Sequence, residues 1–258
     1  MINQKEFQKE NYRQYKISVL GGIVLLASIL ASSSIIFLIP KFSDSYENSF
    51  ALLFIVTGFA FVGLLDDLVG DKSKQGFKGH LSELIRGRVT TGTLKLFGAP
   101  LVALIALSSQ IEARGYLWVL VDVVAISLVA NLFNLLDLSP GRTSKYAIVT
   151  LLVIAFAADT NEMIFMFLGV IFASLIGDLR EKYMLGDCGS NVIGAIVGYF
   201  LIDSLDNSGA IILILISLTL NLASEFVSFS KIIQKIWPLK MFDFFGQTKS
   251  RRDYLKNK

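Results

Sequence analysis

The chain has 258 residues, of which 53% are hydrophobic and only 17% charged, and its mean hydropathy is +0.62. A soluble domain carries roughly 25% charged residues, so a soluble domain is excluded, as are secreted disulfide scaffolds, nucleic-acid modules and disordered tails. The net charge of +3 is small, and the single cysteine, Cys188, permits no internal disulfide.

A membrane span needs about 20 predominantly apolar residues. Apolar blocks run over about 17–39, 49–65, 93–109, 117–136, 144–158, 163–177, 191–204 and 210–229. The first is too long, and lacks the small-residue cleavage site, to be a removable signal peptide. The expected fold is therefore all-α, a polytopic membrane helix bundle of about eight transmembrane helices.

Lys and Arg positions orient it. With the N-terminus in the cytoplasm, 22 of the 24 basic residues fall on inner segments, and only Lys41 and Arg114 fall outside. The outer connectors hold Asp44, Glu47, Glu112, Asp159, Glu162, Asp203 and Asp206 instead. Both termini are expected in the cytoplasm, in the cell (inner) membrane.

Taken in order, the connector from Asp66 to about Gly92 is the one long inner segment, with Gly70, Gly76, Gly79 and Gly87. Its Arg86 and Arg88 would attract an anionic substrate. Its His80, the only histidine, reads as a solvated loop residue. Gly194 and Gly198 form a G-x-x-x-G that allows close helix packing. Residues 1–230 are read as the membrane domain. Residues 231–258 are read as a basic amphipathic tail on the inner leaflet, with Trp237 and Trp118 near opposite interfaces.

The informative feature is a set of acids at the inner block ends. Asp66 and Asp67 close the second block, Asp137 closes the fourth and Asp187 opens the seventh. An acid at a helix C-terminus is disfavoured by up to about 1 kcal/mol, so a basic side chain or a divalent metal should compensate. Carboxylates with the amides of Asn131 and Asn134 make a hard-oxygen environment suited to Mg²⁺, with Mn²⁺ possible, rather than Zn²⁺. Asn131, Asn134 and Asp137 share one helix face. The mid-block positions are apolar, which speaks against a transporter with its site at the bilayer midplane. Asn221, Ser224 and Glu225 near one inner helix end could support the same site.

These motifs resemble the polyprenyl-phosphate N-acetylhexosamine-1-phosphate transferases (glycosyltransferase family 4), the superfamily containing phospho-MurNAc-pentapeptide translocase. Gly63-Leu-Leu-Asp-Asp-Leu-Val-Gly resembles their Asp-Asp motif, and Lys95-Leu-Phe-Gly their K-x-x-G. Asn131-Leu-Phe-Asn-Leu-Leu-Asp resembles N-x-x-N-x-x-D, and Leu185-Gly-Asp-Cys-Gly-Ser their x-G-D-x-G-S. The resemblance covers about 60–200. It implies Mg²⁺-dependent transfer of a sugar-1-phosphate from a UDP-sugar to a polyprenyl phosphate at the cytoplasmic face, in cell-envelope polysaccharide biosynthesis. By position, Asp187 and Asn134 would hold the metal. Asp66 and Asp67 would orient or deprotonate the carrier phosphate, Lys95 would hold phosphate, and Asn131 and Asp137 would complete the polar wall. Two features depart from the family: Asp137 is followed by Leu-Ser-Pro-Gly-Arg rather than a second acid, and its later His-rich motif has no counterpart. Pro140 takes that acid's place and Arg142 adds a cation near the site, as a candidate phosphate ligand. These departures favour an alternative, a non-catalytic relative binding polyprenyl phosphate or a lipid-linked precursor as scaffold or regulator. The retained acids oppose it.

Overall fold

The computed structural model describes residues 8–11, 15–39, 46–70, 90–158 and 163–248. Arg86, Arg88, His80 and the tail beyond residue 248 lie outside the described residues. A short antiparallel hairpin comes first, β1 (Gln8–Glu10) and β2 (Lys16–Ser18), with Lys9 opposite Ile17. Among the described residues eight helices of 16 or more residues follow: α1 (Gly21–Phe37), α2 (Tyr46–Val69), α3 (Thr91–Leu107), α4 (Tyr116–Leu136), α5 (Arg142–Ala157), α6 (Met163–Leu179), α7 (Gly186–Ser204) and α8 (Asn207–Ser224). Two short helices close the described chain, α9 (Phe229–Lys235) and α10 (Trp237–Phe244).

Each of the eight apolar blocks falls on one of α1–α8. The chain is a multi-pass, all-α membrane bundle. Among the described residues, four stretches are long and apolar enough to cross a bilayer: Ser49–Val69, Thr91–Arg114, Tyr116–Leu136 and Asn207–Ser224. Gly21–Phe37 and Met163–Leu179 are apolar but shorter.

The helix at the centre explains why apolarity is uneven. α7 packs against α1, α2, α4, α5 and α6, and every residue from Cys188 to Phe200 is buried. A helix that meets protein on all sides need not dissolve in lipid, so it tolerates the glycines, Ser190 and Asn191. Gly194 and Gly198 are where it presses on α4. A Cβ on Gly194 would come within 2.6 Å of the Ala130 Cα, and one on Gly198 within 3.0 Å of the Ile126 Cα. The peripheral helices α3 and α8 are mostly unburied, as lipid-facing helices should be.

Candidate active site

At one end of the bundle, four helices converge on a lysine. Lys95 sits in the second turn of α3, which Thr90 starts by accepting the Thr93 N–H (3.2 Å). Its ammonium lies 2.5 Å from Asp187 Oδ2 on α7 and 2.8 Å from Asp66 Oδ2 in the last turn of α2. The Asn134 amide of α4 completes the group. Its oxygen accepts from Lys95 Nζ (3.3 Å), while its nitrogen donates to Asp187 Oδ1 (3.0 Å) and Ser190 Oγ (2.8 Å).

Asp67 does something different from its neighbour. Leu185, immediately before α7, has no side chain able to cap the helix. Asp67 supplies that cap from α2: its carboxylate accepts the backbone N–H of Asp187 (3.1 Å) and of Cys188 (2.9 Å). The positive end of the helix dipole favours a carboxylate there. A third partner comes from the hairpin, where Lys9 Nζ donates to Asp67 Oδ1 at 2.7 Å. Gly186 lies between them at φ +65, and a Cβ there would meet Asp67 Oδ2 at 2.7 Å; only glycine both adopts that backbone freely and leaves the space.

Asp137 follows α4 directly, beside these groups. It accepts from Thr143 Oγ1 (3.1 Å). Desolvation by the surrounding helices, and behind it the negative charge of Asp178, hold its carboxyl well above the ordinary carboxylate range. Asp178, at the end of α6, is buried and accepts the Gly141 N–H at 2.8 Å. Asp137 and Asp178 line a cavity of about 330 Å³, with Glu10, Glu181, Ser139 and Pro140 among its other walls.

Two sequence candidates turn elsewhere. Asn131 donates to Asn221 Oδ1 of α8 (2.5 Å), away from the acids. The helix-face argument groups it with Asn134, yet the two residues look onto different neighbouring helices. Arg142 is buried against the tail, with Nε 2.8 Å from Asp243 Oδ1 and Nη2 3.0 Å from Oδ2. Its planar fork is fully engaged there and does not reach the acid cluster.

Sequence reasoning overlooks three participants. Asp178 closes an apolar block just as Asp66, Asp67 and Asp137 do, so its signal is in the sequence. Lys9 and Asp243 act through contacts 58 and 101 residues away in the chain, which no local pattern reports.

Among the described residues, no three His, Cys, Asp or Glu side chains stand together as a metal-holding group. The donor chemistry nevertheless fits a hard dication: two carboxylates and an amide oxygen already surround one positive charge, the Lys95 ammonium.

A helical membrane bundle with a carboxylate–lysine–amide cluster at one end thus defines the class. Residues 49–205 match the profile of glycosyl transferase family 4, and the chain belongs to that family. Among similar proteins is the phospho-N-acetylmuramoyl-pentapeptide-transferase of Borrelia garinii subsp. bavariensis, 27% identical over 222 residues, 74% of this chain and 63% of that protein. The protein of that name from Borreliella burgdorferi (strain ZS7) is 26% identical over 229 residues, 76% of this chain and 65% of its own. That of Bacillus licheniformis is 24% identical over 217 residues, 75% and 63% respectively. The chain spans a little under two thirds of the length of these relatives.

Proposed function

We propose that the chain transfers a sugar-1-phosphate from a UDP-sugar to a polyprenyl phosphate, at the cytoplasmic face of the cell membrane. The observation that carries this reading is the Lys95 hub, a cation held by Asp66, Asp187 and Asn134 beside an acid-lined cavity. Phosphoryl transfer asks for positioning and charge neutralisation more than covalent chemistry, and this cluster offers both.

In this reading an oxygen of the carrier phosphate attacks the β-phosphorus of the donor. The bond from that phosphorus to the bridging oxygen breaks, UMP leaves, and a lipid diphosphate sugar remains. Asp66 orients the carrier phosphate and takes its proton where it arrives protonated. Lys95 exchanges its carboxylate partners for phosphate oxygens. Asp67 and Lys9 keep the start of α7, and so Asp187, in place. Asp187 and Asn134 would hold Mg²⁺, which when bound would neutralise the donor diphosphate. The cavity acids meet hydroxyl-rich parts of the donor: an ionised carboxylate accepts hydrogen bonds, and Asp137, which burial keeps protonated to higher pH, can also donate one.

A second reading, a non-catalytic binder of polyprenyl phosphate or a lipid-linked precursor, is favoured by one observation: Arg142 is consumed by the tail rather than turned to the site. One assay separates the two. Purified protein is incubated with undecaprenyl phosphate, Mg²⁺ and a panel of UDP-sugars. Release of UMP with formation of lipid diphosphate sugar supports the transferase. Carrier binding without UMP from any donor supports the binder.

A further inference from the structure

The last described helix, α10, is amphipathic the wrong way round for a soluble protein. On α10 the residue that points into the protein is charged: Asp243 is 0% exposed and holds Arg142, itself 1% exposed, in a two-pronged ion pair. The third guanidinium nitrogen donates to Ser230 Oγ of α9 at 2.8 Å. Lys145 closes the end of α10 by donating to the carbonyls of Phe242, Asp243 and Phe245. The outward stripe is apolar instead. Trp237, Met241 and Phe245 recur every four residues and are 71%, 54% and 76% exposed.

Two observations say what covers that stripe. Only four residues, Glu225–Ser228, separate α9 from α8, a connector reaching at most about 14 Å; α9 therefore begins near the bilayer boundary that α8 defines, and α10 follows it after the single residue Ile236. Lys231, Lys235 and Lys240 are exposed on the same two helices, while the one acid of Phe226–Thr248, Asp243, is buried. The exposed charge of α9 and α10 is all positive, and complements an anionic surface.

The same tail reaches the site. Gln247 Nε2 donates to Ser139 Oγ (2.9 Å) and to the Pro140 carbonyl (3.0 Å), and both residues line the cavity beside Asp137. We propose that α9 and α10 form a lipid-seated brace: the Trp237–Met241–Phe245 stripe lies in an anionic bilayer surface, and Arg142, Asp243 and Gln247 transmit that seating to the Asp137–Gly141 loop. This inference concerns the conformation of the loop, and it holds or fails whatever reaction the site performs.

Trp237 and Trp118 are the two tryptophans, so full-length Trp118→Phe protein reports on Trp237 alone. In nanodiscs containing phosphatidylglycerol, lipids brominated high on the acyl chain should quench its fluorescence at least about twofold, and aqueous iodide should quench it little. Quenching by iodide with none by brominated lipid would overturn the seating. So would shielding from both, which would mean that protein covers the stripe. The transmission is read by hydrogen exchange at the Gly141 and Arg142 amides. Both Asp243→Asn and the triple variant Trp237→Ser, Met241→Ser, Phe245→Ser should speed that exchange. Acceleration in Asp243→Asn alone would overturn the link to lipid, and acceleration in neither would overturn the brace.

Discussion

The Asp67 carboxylate accepts the backbone N–H of Asp187 at 3.1 Å, so the second acid of α2 holds in place the helix turn that carries the acid of α7. Asp67 is engaged by this N–H, that of Cys188 and Lys9. Its first duty is to join two helices. Asp67→Ala should therefore lower stability by about 1–2 kcal/mol, the scale of a lost N-terminal cap, and Asp67→Asn by less. Thermal unfolding in detergent measures this. Equal stability of wild type and Asp67→Ala would contradict the capping role.

Asp66 and Asp187 differ from Asp67 in sharing one lysine that a substrate can compete for. Asp66→Asn should cut UMP release by at least about 10²-fold, the low end of what a positioned proton-transfer group contributes, and Asp187→Asn should also lower it, by removing a carboxylate that would hold Mg²⁺. Far-UV circular dichroism should stay that of the wild type. Retained turnover in both would remove these carboxylates from the chemistry.

Removing Lys95 leaves two carboxylates facing each other. Lys95→Met should destabilise the protein, by less than the 3–5 kcal/mol typical of a broken buried pair, since all three side chains keep some solvent contact. Millimolar Mg²⁺ should raise its melting temperature more than that of the wild type, because a dication can then take the vacated charge position. Adding Asp187→Asn should erase the difference. A melting temperature indifferent to Mg²⁺ in Lys95→Met would argue that these donors do not bind it.

Arg142 and Asp243 are a fully buried pair. Deleting either charge strands the other, so Arg142→Ala or Asp243→Ala should each cost about 3–5 kcal/mol. The double variant Arg142→Met, Asp243→Leu should recover most of the loss, because it buries no charge at all. Additive losses in the double variant would show that the two side chains act independently.

Asp137 gives a pH signature. Below about pH 3.9 it is protonated both folded and unfolded. Above that, the unfolded chain ionises freely while the folded site resists, so the folded state loses stability as pH rises towards the raised pKa of Asp137. Asp137→Asn removes this penalty. Its stability relative to wild type should improve between pH 4 and neutrality, as read by thermal shift across that range. Parallel profiles would place Asp137 in a better-solvated setting.

The eight helices were legible in the sequence as apolar blocks, the outer ones because lipid imposes apolarity on whatever it surrounds and α7 because a helix buried in protein is apolar too. Helix-end acids were legible because a carboxylate in the unfavourable dipole field of a helix C-terminus calls for a partner; Lys95 meets Asp66 there, and with it Asp187 at the start of α7. Beyond that point the pattern ran out. A helix face says that Asn131 and Asn134 lie near one another, but not that α8 stands before one and α7 before the other. Arg142 reads as a cation beside the site until the tail folds back and supplies Asp243. Lys9 belongs to a hairpin of three-residue strands, too short for alternation to show.

The burial of α7 from Cys188 to Phe200 carries a mechanical consequence. A rod gripped from Cys188 to Phe200 resists rolling or sliding, so Ser190, and Asp187 at its mouth, form the anvil of the site. Any accommodation to an incoming molecule must come from the parts arranged around it, the hairpin, the Asp137–Gly141 turn and the lysine of α3, closing inward upon a stationary keel.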